Sequence, residues 1–245
     1  MSGHNKWSSI KNKKGKEDAK RGKAFTKVAR IITVAVREGG PEPEYNPSLK
    51  SAIEQAKSIN MPNDNIERAI KKAAGGEEGS DYVSKVYEGY GPGGVAVIVD
   101  CLTDNVNRTA SDVRHLFDRF GGNLGTDGSV MYLFEKKGVL RTENKENDFD
   151  KLMMDALEAG AEDVVEETDS YIIYTDRTSF NETKSILSEN GYKFDDAEVS
   201  YIPSNYIDVD ESKHSSLFKL IDALEDDDDV QGVYTNWNVP EESQE

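Results

Sequence analysis

The sequence predicts an α+β protein: an N-terminal three-helix domain followed by two α/β sandwich domains, one ferredoxin-like and inserted in the other. Three observations predict it. The apolar period is helical as far as Gly75-Gly76, where the linker GGEEGS begins, and alternates like a strand beyond it. Between residues 138 and 201 the patterns run β-α-β-β-α-β, the ferredoxin-like order. The pieces before that stretch (strand, strand, helix, strand) and after it (strand, helix, strand) form a second α/β unit split by the first. The expected domains are therefore 1–78, 79–136 together with 203–240, and 137–202.

The first helix is read over residues 13–37. Its cations Lys13, Lys16, Lys20, Lys23, Lys27 and Arg30 are spaced 3, 4, 3, 4, 3, while Phe25, Val28, Ala29, Ile32 and Val36 recur on the opposite side. One face packs and the other presents positive charge. Gly15 and Gly22 each cost roughly 1 kcal/mol relative to Ala, so the first turns are expected to order on binding. Residues 31–36 (IITVAV) are apolar nearly all round, which implies burial between other helices. A second helix starts with Asn46 as N-cap and Pro47 at its first position, with the stripe Leu49, Ala52, Ile53, Ala56 and Ile59. Met61-Pro62-Asn63-Asp64 breaks the chain and caps a third helix, with Ile66, Ala69, Ile70 and Ala73 inward and a stop at Gly75-Gly76.

Beyond the linker, residues 85–90 and 95–102 read as strands joined by GPGG. A helix over 109–120 has Val113, Leu116, Phe117 and Phe120 inward, and 129–135 is a further strand. The ferredoxin-like unit consists of a strand at 138–142, a helix at 149–159, strands at 163–167 and 171–175, a helix at 179–189 and a strand at 192–201. A strand at 205–209, a helix at 215–224 and a strand at 230–237 complete the split unit.

Charge separates the two ends of the chain. The 245 residues contain 47 acids and 30 Lys or Arg, a net charge of −17. Residues 1–30 alone carry +8, residues 31–75 balance, and residues 76–245 carry −25. A basic end on an acidic body points to an anionic partner. The acidic bulk does not cancel it, because exposed charges are screened beyond roughly 10 Å at 0.1 M salt. No run approaches the roughly 20 apolar residues of a membrane span. The basic N-terminus is not followed by an apolar segment, so it does not read as a secretory signal. Cys101, the single cysteine, excludes an internal disulfide framework and a Cys-rich zinc site. The expectation is a soluble cytoplasmic protein without membrane contact.

The catalytic inventory is thin. Gly89-Tyr90-Gly91-Pro92-Gly93-Gly94 matches G-x-G-x-x-G, but a strand follows it where a dinucleotide site needs a helix N-terminus. GGNLGTDGS, residues 121–129, lacks the GK[ST] ending of a P-loop and reads as a tight helix-to-strand connection. His4, His115 and His214 are far apart, Cys101 lies in an apolar strand, and the acidic run 225–229 lacks the spacing of a calcium loop. That run reads as a solvated acidic helix end that repels nucleic acid. No catalytic residue, no metal site and no small-molecule cofactor is expected.

On the helix after Leu102, Arg108, Asp112, His115 and Arg119 share a face. The simpler reading is an exposed, salt-bridged surface. The alternative is a second contact for RNA or protein, with Asn105, Asn107 and Thr109 beside it. The N-terminal stripe differs, since its cations are segregated at helical spacing next to Trp7, an aromatic able to stack on a base. Six such side chains on the phosphates of a duplex give a slope of log K against log[salt] of about −5.

The segments GHNKWSSIKNKKGKEDAKRGKAFTK, NPSLKSAIEQAKSINMPNDNIERAIKKA, YEGYGPGGVAVIVDCLTDNVNRTASDVRHLF and GGNLGTDGSVMYLF closely resemble the YebC/PmpR family, to which the mitochondrial translational activator of cytochrome oxidase subunit one also belongs. The likeness is dense over residues 3–138 and collinear to the C-terminus. It implies a helical N-terminal domain and two α/β domains. It also implies nucleic-acid binding, either as DNA-binding regulators of transcription or as ribosome-associated factors that help synthesis of proline-rich stalling sequences. Carried over on this basis are Lys6, Lys11, Lys14, Lys20, Arg21, Lys23 and Lys27, with His4 and Trp7. The chain departs from the family at Asn12, commonly His, and Val106, often Arg. The resulting expectation is a non-enzymatic regulator whose basic domain contacts ribosomal RNA or the ribosome. DNA-binding transcriptional control is the first alternative and a protein-interaction scaffold the second. The helices joined at Met61-Pro62 imitate a helix-turn-helix, yet Glu54, Asp64 and Glu67 on their surface are poor groove readers.

Overall fold

Asn46 sets the turn on which the helical unit is built. The computed structural model describes residues 17–75, 81–143 and 148–240, with side chains from residue 22 onward. Helix α1 (Glu17–Gly39) is followed by α2 (Pro47–Ser58) and α3 (Asn63–Ala74). The Asn46 amide oxygen accepts from the Leu49 N–H at 3.0 Å, capping α2. Its Nδ2 donates to the carbonyls of Ala35 (2.7 Å) and Gly40 (2.8 Å), which close α1. One side chain thus satisfies orphan groups of two helix ends at once. Gly39 has no room for a side chain, since a Cβ there would lie 2.7 Å from Asn46 Cγ. Val28, Ile32, Ala35 and Val36 of α1 pack with Leu49, Ala52 and Ala56 of α2, and with Met61 and Ile66. Apart from Ala35 and Met61, these are the apolar positions that the helical period picks out.

Strands β1 (Val83–Tyr90) and β2 (Ala96–Thr103) pair antiparallel with Tyr87 opposite Val99, joined through a short 3₁₀ turn at Pro92–Gly94. With β3 (Asn123–Leu124) and β8 (Val230–Thr235) they form one sheet of order β3-β1-β2-β8. Helices α4 (Val106–Arg119) and α7 (Glu211–Glu225) cover one face. There Val97, Val99 and Cys101 meet Val113, Phe117, Leu217, Leu220, Leu224 and Trp237. On the opposite face Ala96 and Ile98 meet Phe134 and Tyr201, so the two sheets touch through an apolar seam.

Strand β4 (Phe134–Glu143), α5 (Phe149–Glu158), β5 (Asp163–Glu166), β6 (Ser170–Asp176), α6 (Phe180–Glu189) and β7 (Asp196–Pro203) form the second sheet and its helices. Its order β5-β6-β4-β7, antiparallel throughout, is that of a ferredoxin-like unit. Leu140, Leu152, Ala156, Ile173 and Leu187 fill its core. In chain order this unit falls between β3 and α7, inside the first sheet, and the fold class is the one expected.

Local differences have local causes. The strand expected at 129–135 begins only at Phe134, after a 3₁₀ turn over Met131–Leu133. The buried carboxylate of Glu88 accepts from the N–H groups of Gly128 (2.6 Å), Val130 (2.8 Å) and Met131 (2.7 Å), which holds that segment as a turn. The strand expected at 205–209 is reduced to one parallel bridge, Ile207 to Trp237. The strand expected at 192–201 starts at Asp196. Helices α4 and α7 start earlier than the apolar stripes suggest, because Asn105 and Asp210 cap them. The short β3 forms because Gly89 lets the chains approach: a Cβ there would lie 2.6 Å from the Asn123 carbonyl oxygen.

Candidate nucleic-acid interface

The basic stripe divides into three parts. His4, Lys6, Trp7, Lys11, Lys13, Lys14 and Lys16 lie outside the described residues. Lys20 and Arg21 lie in the first turns of α1. Lys23, Lys27 and Arg30 are described, and all three are turned onto the C-terminal end of α7. Lys23 Nζ donates to the Asp226 carbonyl at 2.9 Å and lies 3.4 Å from its carboxylate. Lys27 Nζ donates to the Glu225 carbonyl at 2.6 Å. Arg30 donates to the carbonyls of Leu102 (3.2 Å) and Asp228 (2.8 Å) and to Asp229 Oδ1 (2.6 Å). The end of a helix exposes carbonyls without intrahelical partners and carries about half a negative charge. Cations spaced one turn apart on a crossing helix are suited to meet it.

Asp229 is the centre of this junction. Its side chain is 5% exposed. Oδ1 accepts from Arg30, while Oδ2 accepts from Arg108 (2.7 Å), Thr109 (2.7 Å) and Thr103 (3.1 Å). Burial alone would raise this carboxyl, but hydrogen bonds from Arg108, Thr109, Arg30 and Thr103 overcome it and hold it at about 2. Arg108 also pairs with Asp104 at 2.9 Å. The acidic run 225–229 is therefore only in part the solvated helix end that its composition suggests: Asp226 and Asp228 are exposed. Asp229 is a buried acceptor, and Glu225, Asp226 and Asp228 present carbonyls to α1.

The same junction absorbs most of the second contact surface read on α4. Arg108 and Thr109 bind Asp229, and Asn105 caps the helix by accepting from the Arg108 N–H at 3.1 Å. Thr109 is buried, Asn105 and Arg108 are exposed but engaged within the chain, and Asn107 and His115 are exposed. Three participants have no signal in a local pattern. Thr103 closes a strand, and Tyr82 lies with its ring 5.3 Å from the Arg30 guanidinium. Asp81 pairs with Arg37 at 2.9 Å. Only the position of Asp229, next to the strand that opens at Val230, hints that it turns inward.

The glycine motifs are structural. Gly93 adopts φ +78° in the turn between β1 and β2, with Val209 against it. In the 121–131 segment, Gly128, Val130 and Met131 donate their amides to the Glu88 carboxylate and Gly125 to the Glu88 carbonyl. Cys101 is buried, and burial pushes its thiol up, opposite to an activated nucleophile. His214 packs against Trp237 with ring centres 5.2 Å apart and the planes tilted by 51°. Among the described residues no group of three His, Cys, Asp or Glu is placed to hold a metal, and no helix is long and apolar enough to cross a membrane.

Residues 5–76 match the family model for the TACO1/YebC protein N-terminal domain, and residues 82–237 that for the TACO1/YebC second and third domain. A probable transcriptional regulatory protein of Finegoldia magna is 60% identical over 239 residues, covering 97% of this chain and 99% of the relative. One of the same description from Halothermothrix orenii is 53% identical over 248 residues, covering 100% and 98%. The crystal structure of a conserved hypothetical protein from Aquifex aeolicus superposes with a TM-score of 0.85 at 49% identity, covering 96% of this chain and 98% of that one.

Proposed function

Because the chain belongs to the TACO1/YebC family, we propose that it regulates gene expression by binding nucleic acid through its basic N-terminal end. We take the target to be ribosomal RNA. The observation that carries this reading is the charge distribution: +8 within residues 1–30 against −25 beyond residue 75. A body of that charge is repelled by a bare duplex over roughly a Debye length. A ribosomal cleft, lined by both RNA and basic proteins, accommodates both signs. The protein performs no chemical step in this reading, and helps translation of stalling, proline-rich sequences through contact alone.

The described geometry narrows the contact. Lys23, Lys27 and Arg30 serve the end of α7, so the cations that meet phosphate first are Lys6, Lys11, Lys13, Lys14, Lys16, Lys20 and Arg21, with His4 and Trp7 among them. Asn107 and His115 on α4 remain as the reduced second contact. A DNA-binding regulator of transcription is the second reading, favoured by the relatives' description as probable transcriptional regulatory proteins.

Sedimentation through sucrose at graded salt separates the two. Co-migration with ribosomes in a DNA-free lysate, lost in a Lys6→Glu, Lys11→Glu, Lys14→Glu variant, supports translation. A footprint on a defined promoter without ribosome association transfers the function to transcription. Binding to neither leaves the arm for an acidic protein and defeats the nucleic-acid reading.

A further inference from the structure

Lys23 and Lys27 stand on the ridge of α1 that a polyanion would meet, and both are engaged by the chain itself. Their contacts differ in kind from those of Arg30. The side chains of Lys23 and Asp226 are 41% and 64% exposed, whereas those of Arg30 and Asp229 are 15% and 5% exposed. Exposed ion pairs are weak and salt-screened. A buried, hydrogen-bonded pair is costly to break. Lys27, half-buried, lies between the two and holds the Glu225 carbonyl. Helix α1 is thus held by a firm clasp at Arg30 and by a looser one that ends in the exposed ion pair at Lys23.

We propose that the loose clasp is an autoinhibitory contact, in which the acidic end of α7 holds Lys23 and Lys27 as an internal substitute for phosphate that polynucleotide must displace. The inference rests on the nucleic-acid reading above and adds a regulation of that same site. Displacement exchanges one set of anions for another on the two lysines. Cations released from the nucleic acid are then taken up by the freed carboxylates, and the two lysines contribute little to the salt dependence of binding. The firm clasp at Asp229 keeps α1 in register throughout, so the exchange needs no separation of the helical unit from the sheet.

The test uses the full chain and a fluorescently labelled RNA duplex, with anisotropy followed at graded KCl. In one variant Glu225→Gln, Asp226→Asn and Asp228→Asn are combined, leaving Asp229 intact. In a second variant Asp150→Asn, Glu158→Gln and Glu189→Gln, all exposed on α5 and α6, give the same change in net charge. The first is expected to bind roughly fivefold more tightly at low salt. Its slope of log K against log[salt] steepens by about 1, as Lys23, relieved of the Asp226 carboxylate, releases counterions on phosphate. The second is expected to change affinity less than twofold. Asp226→Asn alone, which touches only Lys23, gives a smaller gain of the same sign and covers the case in which the triple variant unfolds. Equal gains in the two triple variants would mean that total charge alone matters, and would overturn the clasp. Wild-type binding that is lost on deleting residues 1–21, yet unaltered by neutralising 225–228, overturns the clasp and leaves the nucleic-acid reading standing. Absence of binding by every variant defeats both.

Discussion

Asp229 and Asn46 each join segments distant in sequence through one buried polar side chain, and the consequences are measurable. Asp229→Asn removes the charge shared by Arg30 and Arg108 while keeping the shape. Breaking a buried ion pair on one side costs about 3 kcal/mol; here the largely buried Arg30 guanidinium loses its carboxylate, while the half-exposed Arg108 keeps Asp104. Chemical unfolding is expected to show that loss, with the helical unit loosening first. The effect depends on pH with a definite sign. The Asp229 carboxyl is held at about 2, below its ordinary value of 3.8. Its contribution is therefore complete above pH 3.8 and disappears as pH falls towards 2, and the shift corresponds to about 2 kcal/mol. The gap between wild type and Asp229→Asn should be flat near neutrality and close in acid. A gap unchanged down to pH 2 would exclude the charged hub. Asn46→Ala strips three hydrogen bonds from two helix ends. A lost cap alone costs about 1 kcal/mol, and the buried carbonyls left behind add to it. A variant as stable as wild type would mean that the α1–α2 turn is set by Gly39 and Gly40 instead.

At the scale of elements, helix α1 shows where reading the sequence succeeds and where it stops. Its apolar side is legible because burial imposes a 3.6-residue period on Val28, Ile32 and Val36 whatever they pack against. Its basic side is equally periodic, but periodicity does not say which anion the stripe meets. The partners Glu225, Asp226 and Asp229 lie about two hundred residues further along, and nothing local marks them. The ferredoxin-like order was legible for the same reason as the helices, since each strand and helix carries its own period. The turn at 128–131 was not, because one distant carboxylate, Glu88, overrides a local strand pattern. Charge reversal at Lys23 and Lys27 follows from this geometry. Replacing both by Glu sets carboxylates against the carbonyl end of α7 and its acids, where cations had been favourable by about 0.3–1 kcal/mol each. The double variant is expected to lower the melting temperature as well as to weaken binding, in contrast to a stripe that only faces solvent. An unchanged melting temperature would show that the α1–α7 contact contributes nothing to stability.

At the scale of the whole molecule, the helical unit and the charged end that precedes it are separable by physics. Among the described residues, the core of the unit begins at Phe25 and Val28, and the clasp on the first sheet begins at Lys23. The second sheet adds a further tie, since Lys184 on α6 reaches Glu54 on α2 at 3.3 Å. These anchors all lie at residue 23 or beyond. A chain lacking those residues is therefore expected to keep its fold, with a melting temperature within a few degrees of wild type. The deletion removes seven of the ten N-terminal Lys and Arg residues. If the charge asymmetry is what brings the protein to nucleic acid, the truncated chain, now more acidic and with Lys23, Lys27 and Arg30 turned onto α7, loses ribosome co-sedimentation at all but the lowest salt. The alternative is a body that docks through the exposed part of α4 or through the acidic domains, for which truncation changes little. The two are distinguished by one pair of profiles, full-length and truncated, at matched ionic strength. Undiminished association of the truncated chain would move the binding surface off the N-terminal end and onto the α/β units.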